Sequence, residues 1–229
     1  MRGDGETAML QKSTIDFLKK LKKNNNREWF NTNKQLYEDA RFDFEKYAGN
    51  LIDIITKFDE SLMGLDPKDC MFRIYRDVRF SKNKAPYKTN FGAVLYKGGK
   101  NSPYAGYYFH LSPGECFYAG GMYMPTPEQL KNLRQGVYEK FGEFKKIIEN
   151  KEFKKYFKSL EGEKLKTVPR GFPKDHPSSE YLKFKGYIAY HEVDDDKVMS
   201  KSVLKYSSKV FKAMKPFIDF LNDTLLRGA

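Results

Sequence analysis

The sequence predicts an α+β fold, in which a meander of antiparallel strands packs against N-terminal, central and C-terminal helices. Apolar residues recur every three or four positions over 29–58, 130–157 and 203–225, which is typical of helices buried along one face. Between about 71 and 123, apolar and polar residues alternate instead, and turns that contain Gly or Pro divide the segment. Short connections between consecutive strands favour antiparallel pairing.

The N-terminal part of the chain is predicted to be helical. With 229 residues, 40% of them hydrophobic, the chain can bury a sizeable core, and we expect a disordered lead-in over 1–12 and a single domain over 13–229. Ser13 is a suitable N-cap for a short first helix, which three asparagines at 24–26 end. The apolar stripe over 29–58 predicts a long second helix, and core packing explains that stripe better than a partner-binding face.

The rest of the chain is divided by local signals. Thr126, Pro127 and Gln129 form the capping-box pattern that opens a central helix, and a second helical segment follows at about 143–160. Asp194 is expected to cap a final helix that reaches about residue 226 and that Pro216 kinks, because proline lacks a backbone N–H. The strands are expected over 71–80, 89–96, 106–111 and 115–123, with a further strand near 184–192.

The net charge of +12 favours anionic partners such as nucleic acid or phosphorylated ligands. The excess lies in two blocks: residues 68–100 hold nine basic and two acidic residues, and residues 131–190 hold fifteen and eight. Cations of the first block are interleaved with aromatic residues, which indicates a binding site. Those of the second block lie on lysine-rich helices and are interpreted as a solvated face.

The candidate site lies in the first block. A regular strand over 71–80 would bring Arg76 onto an otherwise apolar face, where an unpaired cation is costly. Arg76 is therefore predicted to be buried and paired with a distant carboxylate, or to line a polar pocket. The other members of that apolar face are Phe72, Ile74, Val78 and Phe80. The candidate ligand-binding residues are Arg73, Arg76, Asp77, Arg79, Lys82, Lys84, Tyr87, Lys88 and His110.

The chemistry of these residues leaves several roles open. The planar fork of arginine suits bidentate contacts with phosphate or carboxylate groups. Asp77 could orient the neighbouring guanidinium groups or act as a base, and the alternative is a structural ion-pair network on a solvated face. His110 is the best general-base candidate by chemistry, and its alternative is a structural histidine with satisfied hydrogen bonds. The pattern assigns no catalytic residue.

Two runs carry a resemblance to a known family: RIYRDVRFSKNKAPYKTNFG, which begins at Arg73, and YYFHLSPGECFYAGGMYMPTPEQL, which begins at Tyr107. Together with an NNNREWF element, they make the chain similar to the bacterial domain-of-unknown-function family 2461 from about Ile15 to the C-terminal helix. The resemblance implies a single domain and an important Arg-x-x-Arg-Asp-x-Arg-Phe motif, and it implies no reaction. The motif and its companions correspond to Arg73, Arg76, Asp77, Arg79, Phe80, Lys84 and Tyr87.

Two functions from different classes remain. In the first, the segment 71–90 binds a phosphate-bearing ligand or nucleic acid, with its cations on phosphates and with Tyr75 and Tyr87 stacking or hydrogen bonding. In the second, the protein is an enzyme acting on a small anionic substrate, and Asp77 or His110 transfers a proton. We expect the segment 71–90 to line the main concave site. Any binding of nucleic acid is expected to be non-specific and to weaken steeply with salt.

Other functional classes find little support in the sequence. Cys70 and Cys116 lack the spacing of a zinc site and suit the reduced thiols of a cytoplasmic protein. The scattered histidines and the acidic run at 194–196 make a weak metal site, and the paired glycines match no nucleotide-binding loop, so we expect neither a metal nor a cofactor. With no signal-peptide pattern and no apolar run of about 18 residues, we expect no membrane partner.

Overall fold

An antiparallel sheet of five strands forms the centre of the computed structural model, which describes residues 9–226. The order of the strands across the sheet is β1-β2-β3-β5-β4, and every neighbouring pair is antiparallel. Together with the helices, this sheet confirms the predicted α+β fold. The strands are β1 (Phe91–Leu95), β2 (Gly106–Leu111), β3 (Phe117–Met122), β4 (Leu160–Glu161) and β5 (Tyr187–Glu192).

Helices precede, interrupt and follow the strands. Buried residues from Leu10 to Leu221 form one hydrophobic cluster, so Leu10, near the end of the predicted lead-in, belongs to the core. The first eight positions of that lead-in and residues 227–229 lie outside the described residues, and a single domain over 13–229 stays a prediction. The helices are α1 (Lys12–Lys23), α2 (Arg27–Thr32), α3 (Lys34–Thr56), α4 (Pro67–Cys70), α5 (Pro127–Glu139), α6 (Phe141–Ile148), α7 (Lys151–Tyr156), α8 (Ser179–Leu182), α9 (Asp195–Val198) and α10 (Val203–Leu226).

One face of the sheet is buried against the two longest helices, α3 and α10. Strand side chains alternate between the two faces, so every second residue of β1, β2 and β3 points toward these helices. Phe91 and Phe109 stack on Phe44 of α3, with ring centroids 5.2 and 6.1 Å away. Tyr118 of β3 meets Phe211 of α10 edge-on at 5.2 Å. The core therefore lies between this face and the two helices.

The opposite face of the sheet, called here the outer face, is also aromatic. Its residues are Val94, Tyr108, His110, Phe117, Ala119 and Tyr190, which the strand registers place side by side. The rings pack on one another: His110 stacks on Phe117 at 4.5 Å, and Phe117 lies 4.7 Å from Tyr190. The rings of this face remain half-buried, because neighbouring rings cover them while α3 and α10 pack on the other side.

The strand predicted over 71–80 is wrong. This segment makes only isolated bridges, Met71 with Ala93 and Tyr75 with Tyr87. Within this segment the Asp77 carboxylate accepts the backbone N–H of Arg79, a local bond that favours a turn over a ladder. The expected apolar face is lost as a result. Of its members only Ile74 is buried, whereas Phe72 and Phe80 are exposed at 42% and 97% and Val78 is half-buried.

Most other predicted elements are present with different ends. The capping box at Thr126 is confirmed, but the first helix begins at Lys12, before the predicted cap. The segment 143–160 holds parts of two helices, because Asn150 caps α7, and its last residue opens the unexpected strand β4. Asp194 occupies the N-cap position of the short α9, without a side-chain capping bond, and not that of the final helix. Within residues 9–226, no helix is both long and apolar enough to cross a membrane.

Candidate basic-aromatic binding surface

Residues 71–90, called here the basic loop, lie beside β1 and are fixed to the body of the protein at Tyr87. The Asn25 side chain donates to the Tyr87 carbonyl at 2.9 Å and accepts the Tyr87 N–H at 3.1 Å. The Tyr87 ring is 4% exposed and stacks on Phe30, with centroids 4.0 Å apart. Among the predicted site residues, Tyr87 therefore anchors the loop and offers little surface to a ligand.

Arg76 holds the basic loop closed. Its guanidinium donates from Nη1 to the Ala85 carbonyl at 2.8 Å and from Nη2 to the Ser81 hydroxyl at 3.3 Å, while its backbone N–H donates to the Pro86 carbonyl. The side chain is half-buried, and within the described part of the chain no carboxylate pairs with it. The predicted partner, a distant carboxylate, is wrong. Because the backbone turns, Arg76 meets carbonyl oxygens of its own loop.

Asp77 and Arg79 form an exposed ion pair. Two bonds join them: Arg79 Nε to Asp77 Oδ1 at 3.0 Å and Nη2 to Oδ2 at 2.7 Å. Hydrogen bonds from the side chain and backbone of Arg79 lower the pKa of Asp77, with a smaller contribution from Arg73. An exposed carboxylate already paired in this way is a poor base, so the geometry corresponds to the ion-pair alternative.

Cations and aromatic rings share the surface of the basic loop. Arg73 and Lys82 are exposed, and Lys84 donates to the carbonyls of Val78 and Arg79. The Lys88 amine lies 5.1 Å from the centre of the Phe72 ring, and burial together with Arg73 lowers the pKa of Lys88. Three rings are exposed beside these cations: those of Phe72, Tyr75 and Phe80.

His110 belongs to the outer face and not to the basic loop. Its Nδ1 lies 2.9 Å from the Tyr108 hydroxyl, and Tyr108 meets Phe72 edge-on at 6.3 Å, so a chain of rings links it to the loop. Burial lowers the pKa of His110 to about 4, which is a poor match to proton transfer near neutral pH. Among the described residues, no hydrogen bond or ion pair joins His110 to Asp77.

The basic loop lines neither of the two main concave sites among residues 9–226, so the prediction that it would is wrong. A groove of about 770 Å³ lies between α6, α7 and α10. A smaller one of about 230 Å³ is lined by residues around Cys116 and Asp195. Ile74 and Tyr87 of the loop are buried, whereas Phe72, Tyr75 and Phe80 are exposed, so the loop presents an open surface. Within the same residues, no group of His, Cys, Asp and Glu could hold a metal.

Sequence reasoning missed part of this surface. Phe72 and Phe80 were assigned to the core by alternation, and Tyr108 was not singled out. The Asp-x-Arg spacing around Asp77, which suits an Asx turn, is the signal that could have shown a turn in place of a strand.

The comparisons with known proteins agree with the resemblance seen in the sequence. A family model described as "Conserved hypothetical protein (DUF2461)" matches residues 13–220. Comparison with curated proteins and comparison with solved structures each give no match.

Proposed function

The chain belongs to the DUF2461 family of conserved hypothetical proteins, a description that names no reaction. From the basic loop and its exposed side chains, we propose that the protein binds single-stranded nucleic acid. The observation that carries the proposal is that exposed rings and exposed cations alternate along one segment of the chain, from residue 72 to residue 84. Proteins that bind single-stranded nucleic acid generally combine cations and aromatic rings. The cations follow the phosphates, and the rings stack on the bases.

Phe80 is the main stacking residue in this proposal. Its side chain is 97% exposed, and the Arg79 guanidinium lies 5.9 Å from the centre of its ring. An exposed Phe does not contribute to the core, and a flat ring beside an arginine can receive a base on its face. Tyr75, which is 51% exposed, offers a second ring on the same loop.

The side chains that bind phosphate groups in this proposal are Arg73, Arg79, Lys82 and Lys84. Each of these four side chains is exposed, and only Arg79 is held by a carboxylate within the described residues. An exposed pair of this kind exchanges readily with another anion, since it contributes little in water. The basic loop lines neither of the two concave sites described among residues 9–226, and an open surface suits an extended polyanion better than a small phosphorylated ligand.

The enzyme hypothesis receives less support. Asp77 is paired with Arg79, and the pKa of His110 lies near 4 because the ring is buried. General acid–base catalysis favours groups whose pKa lies near the working pH.

The proposal includes a location in the cytoplasm. Cys70 and Cys116 are both buried and unpaired, and they would remain reduced in that compartment.

The proposal is tested by titrating a fluorescein-labelled oligothymidine of about 20 nucleotides while its anisotropy is followed. Four phosphate contacts on a single strand give a slope of about −3 for log K against log salt, so binding should weaken roughly 100-fold between about 25 and 150 mM salt. Absence of binding at the low salt concentration, or binding that salt leaves unchanged, would refute the proposal.

Variants separate the basic loop from the rest of the charged surface. Phe80→Ala should weaken binding by about 1–3 kcal/mol, or roughly 5- to 150-fold, at unchanged stability. Arg73→Glu combined with Lys82→Glu should abolish binding at moderate salt. The matched controls are Phe42→Ala, an exposed Phe on α3, and Lys131→Glu combined with Lys166→Glu, two exposed lysines outside the loop. Equal losses in the loop variants and in these controls would contradict the assignment to the loop.

A further inference from the structure

The groove between α6, α7 and α10, called here the helical groove, is separate from the basic loop and is the larger of the two concave sites described above. Its volume is about 770 Å³. Its side formed by α6 and α7 lies in the lysine-rich block 131–190, which the sequence suggests to be a solvated face, and its side formed by α10 lies outside that block. Its lining residues are Glu143, Lys146, Ile147, Asn150, Glu152, Phe153, Lys155, Tyr156, Lys209, Lys212, Ala213 and Pro216.

The apolar lining of the helical groove comes from two sides. Ile147 of α6 and Ala213 of α10 are half-buried, and Pro216 of α10 is exposed. Beneath them Phe153 is 2% exposed and packs on Phe217 in the core, with ring centroids 5.8 Å apart. The groove therefore has a firm apolar floor that water covers in the isolated chain, and covering such a floor is favourable.

Lysines flank this floor on both sides. Lys146 and Lys155 belong to α6 and α7, and Lys209 and Lys212 belong to α10, against two carboxylates of the lining, Glu143 and Glu152. Within residues 9–226, no ion pair engages Lys146, Lys209 or Lys212. The Lys155 amine instead lies 5.7 Å from the centre of the Tyr156 ring. The rims of the groove thus carry positive charge that nearby carboxylates do not neutralise.

We propose that the helical groove binds an amphipathic helix of a partner protein, with the apolar stripe of that helix on the floor and acidic residues against the lysines. From Lys209 to Pro216 the groove follows α10 over eight residues, a rise of about 10 Å or two helical turns. Apolar anchors at i, i+3, i+4 and i+7 of a docked helix span the same length. Because the rims of the groove carry lysines, charge complementarity favours a helix whose polar face is acidic.

The floor favours a peptide over nucleic acid. Bases stack on exposed aromatic rings, but the two rings of the lining, Phe153 and Tyr156, are buried and half-buried, whereas Ile147, Ala213 and Pro216 contribute aliphatic surface. Aliphatic side chains of a docked helix pack well on such a surface. The inference does not depend on nucleic-acid binding by the basic loop, because the two surfaces share no residue.

The probe is a fluorescein-labelled helical peptide of about 14 residues, with leucines at i, i+3, i+4 and i+7 and glutamates on its other faces. Its control is the peptide with the same leucines and with lysine in place of each glutamate. The acidic peptide should bind with a Kd in the micromolar range, and the lysine peptide at least roughly tenfold more weakly. No binding of the acidic peptide up to about 100 µM, or equal binding of the two peptides, overturns the proposal.

Two variants locate the binding. Lys209→Glu combined with Lys212→Glu reverses the charge of one rim at exposed positions, and Ala213→Glu introduces a carboxylate onto the floor. Each variant should weaken the binding of the acidic peptide by roughly tenfold or more. The control variant, Lys131→Glu combined with Lys166→Glu, should leave the affinity for this peptide unchanged. If the rim variant loses oligothymidine binding and keeps peptide binding, the groove belongs to nucleic acid and the proposal is wrong. Thermal melts verify folding, and the rim variant suffices if Ala213→Glu unfolds.

Discussion

His110→Gln should change how the stability of the protein depends on pH. In the native chain His110 is half-buried on the outer face, stacks on Phe117 and contacts the Tyr108 hydroxyl. Burial lowers the pKa of His110 from 6.5 to about 4, and Glu115 opposes this only in part. Glutamine can keep a hydrogen bond to Tyr108 but does not take up a proton in this range.

The magnitude follows from the two pKa values. Above about pH 6.5 the imidazole is neutral in both the folded and the unfolded chain, so it adds no pH dependence. As the pH falls toward 4, the unfolded chain takes up a proton that the folded chain does not, and folding stability is lost. At about 1.4 kcal/mol for each pH unit between the two values, His110 should account for a loss of up to about 3 kcal/mol.

The assay is urea unfolding of the wild type and of His110→Gln at about pH 7, 6, 5 and 4. At neutral pH the variant should be less stable by about 1 kcal/mol, because it loses the stack on Phe117. Between pH 7 and 4 the wild type should lose about 2–3 kcal/mol more than the variant, while other titrating groups cancel in the comparison. Parallel losses within about 0.5 kcal/mol would refute the reasoning and indicate that His110 is hydrated.

Two further predictions concern the backbone. Gly121→Ala should destabilise the protein by about 3 kcal/mol or more, because φ is +128° and the new Cβ would overlap the Tyr187 carbonyl oxygen in β5. The control is Gly114→Ala, where φ is +81° and the new Cβ would meet no neighbouring atom. It should lower the free energy of unfolding by only about 1–2 kcal/mol in the same urea assay. Asn25→Ala should loosen the basic loop by about 2 kcal/mol, seen as faster hydrogen exchange of the Tyr87 amide; unchanged exchange would show that the stack alone fixes it.

The parts of the fold that could be predicted depend on local patterns. Strand β2 was expected over 106–111 and is found at Gly106–Leu111, because alternation and flanking turns define it. The capping box at Thr126 could be predicted for the same reason, because it involves residues only three positions apart. By contrast, β4 has only two residues, which carry no periodicity, and it exists because β5 pairs with it. Elements that depend on a distant partner leave little local signal in the chain.

The cations of the candidate surface could be predicted from the sequence, but the exposure of Phe72 and Phe80 and the geometry of the loop could not. Counting by two assumes a regular strand, whereas the segment turns at Asp77, Phe80 is exposed and Arg76 donates to the carbonyl of Ala85. The helical groove could not be predicted at all, because its two sides lie at 143–156 and 209–216. The only sequence signal for it was the excess of lysine over 131–190, which a solvated face explains equally well.

The segment at 71–75 also protects an edge of the sheet. Its bridge from Met71 to Ala93 and the bond from the Phe72 N–H to the Gly92 carbonyl occupy polar groups of β1 that would otherwise be open to another strand. At the other edge, β4 has only two residues, and they pair with Ile188 and Ala189 of β5. A change that detaches the basic loop would therefore uncover β1 as a template for strand addition, and the chain would then be prone to self-association.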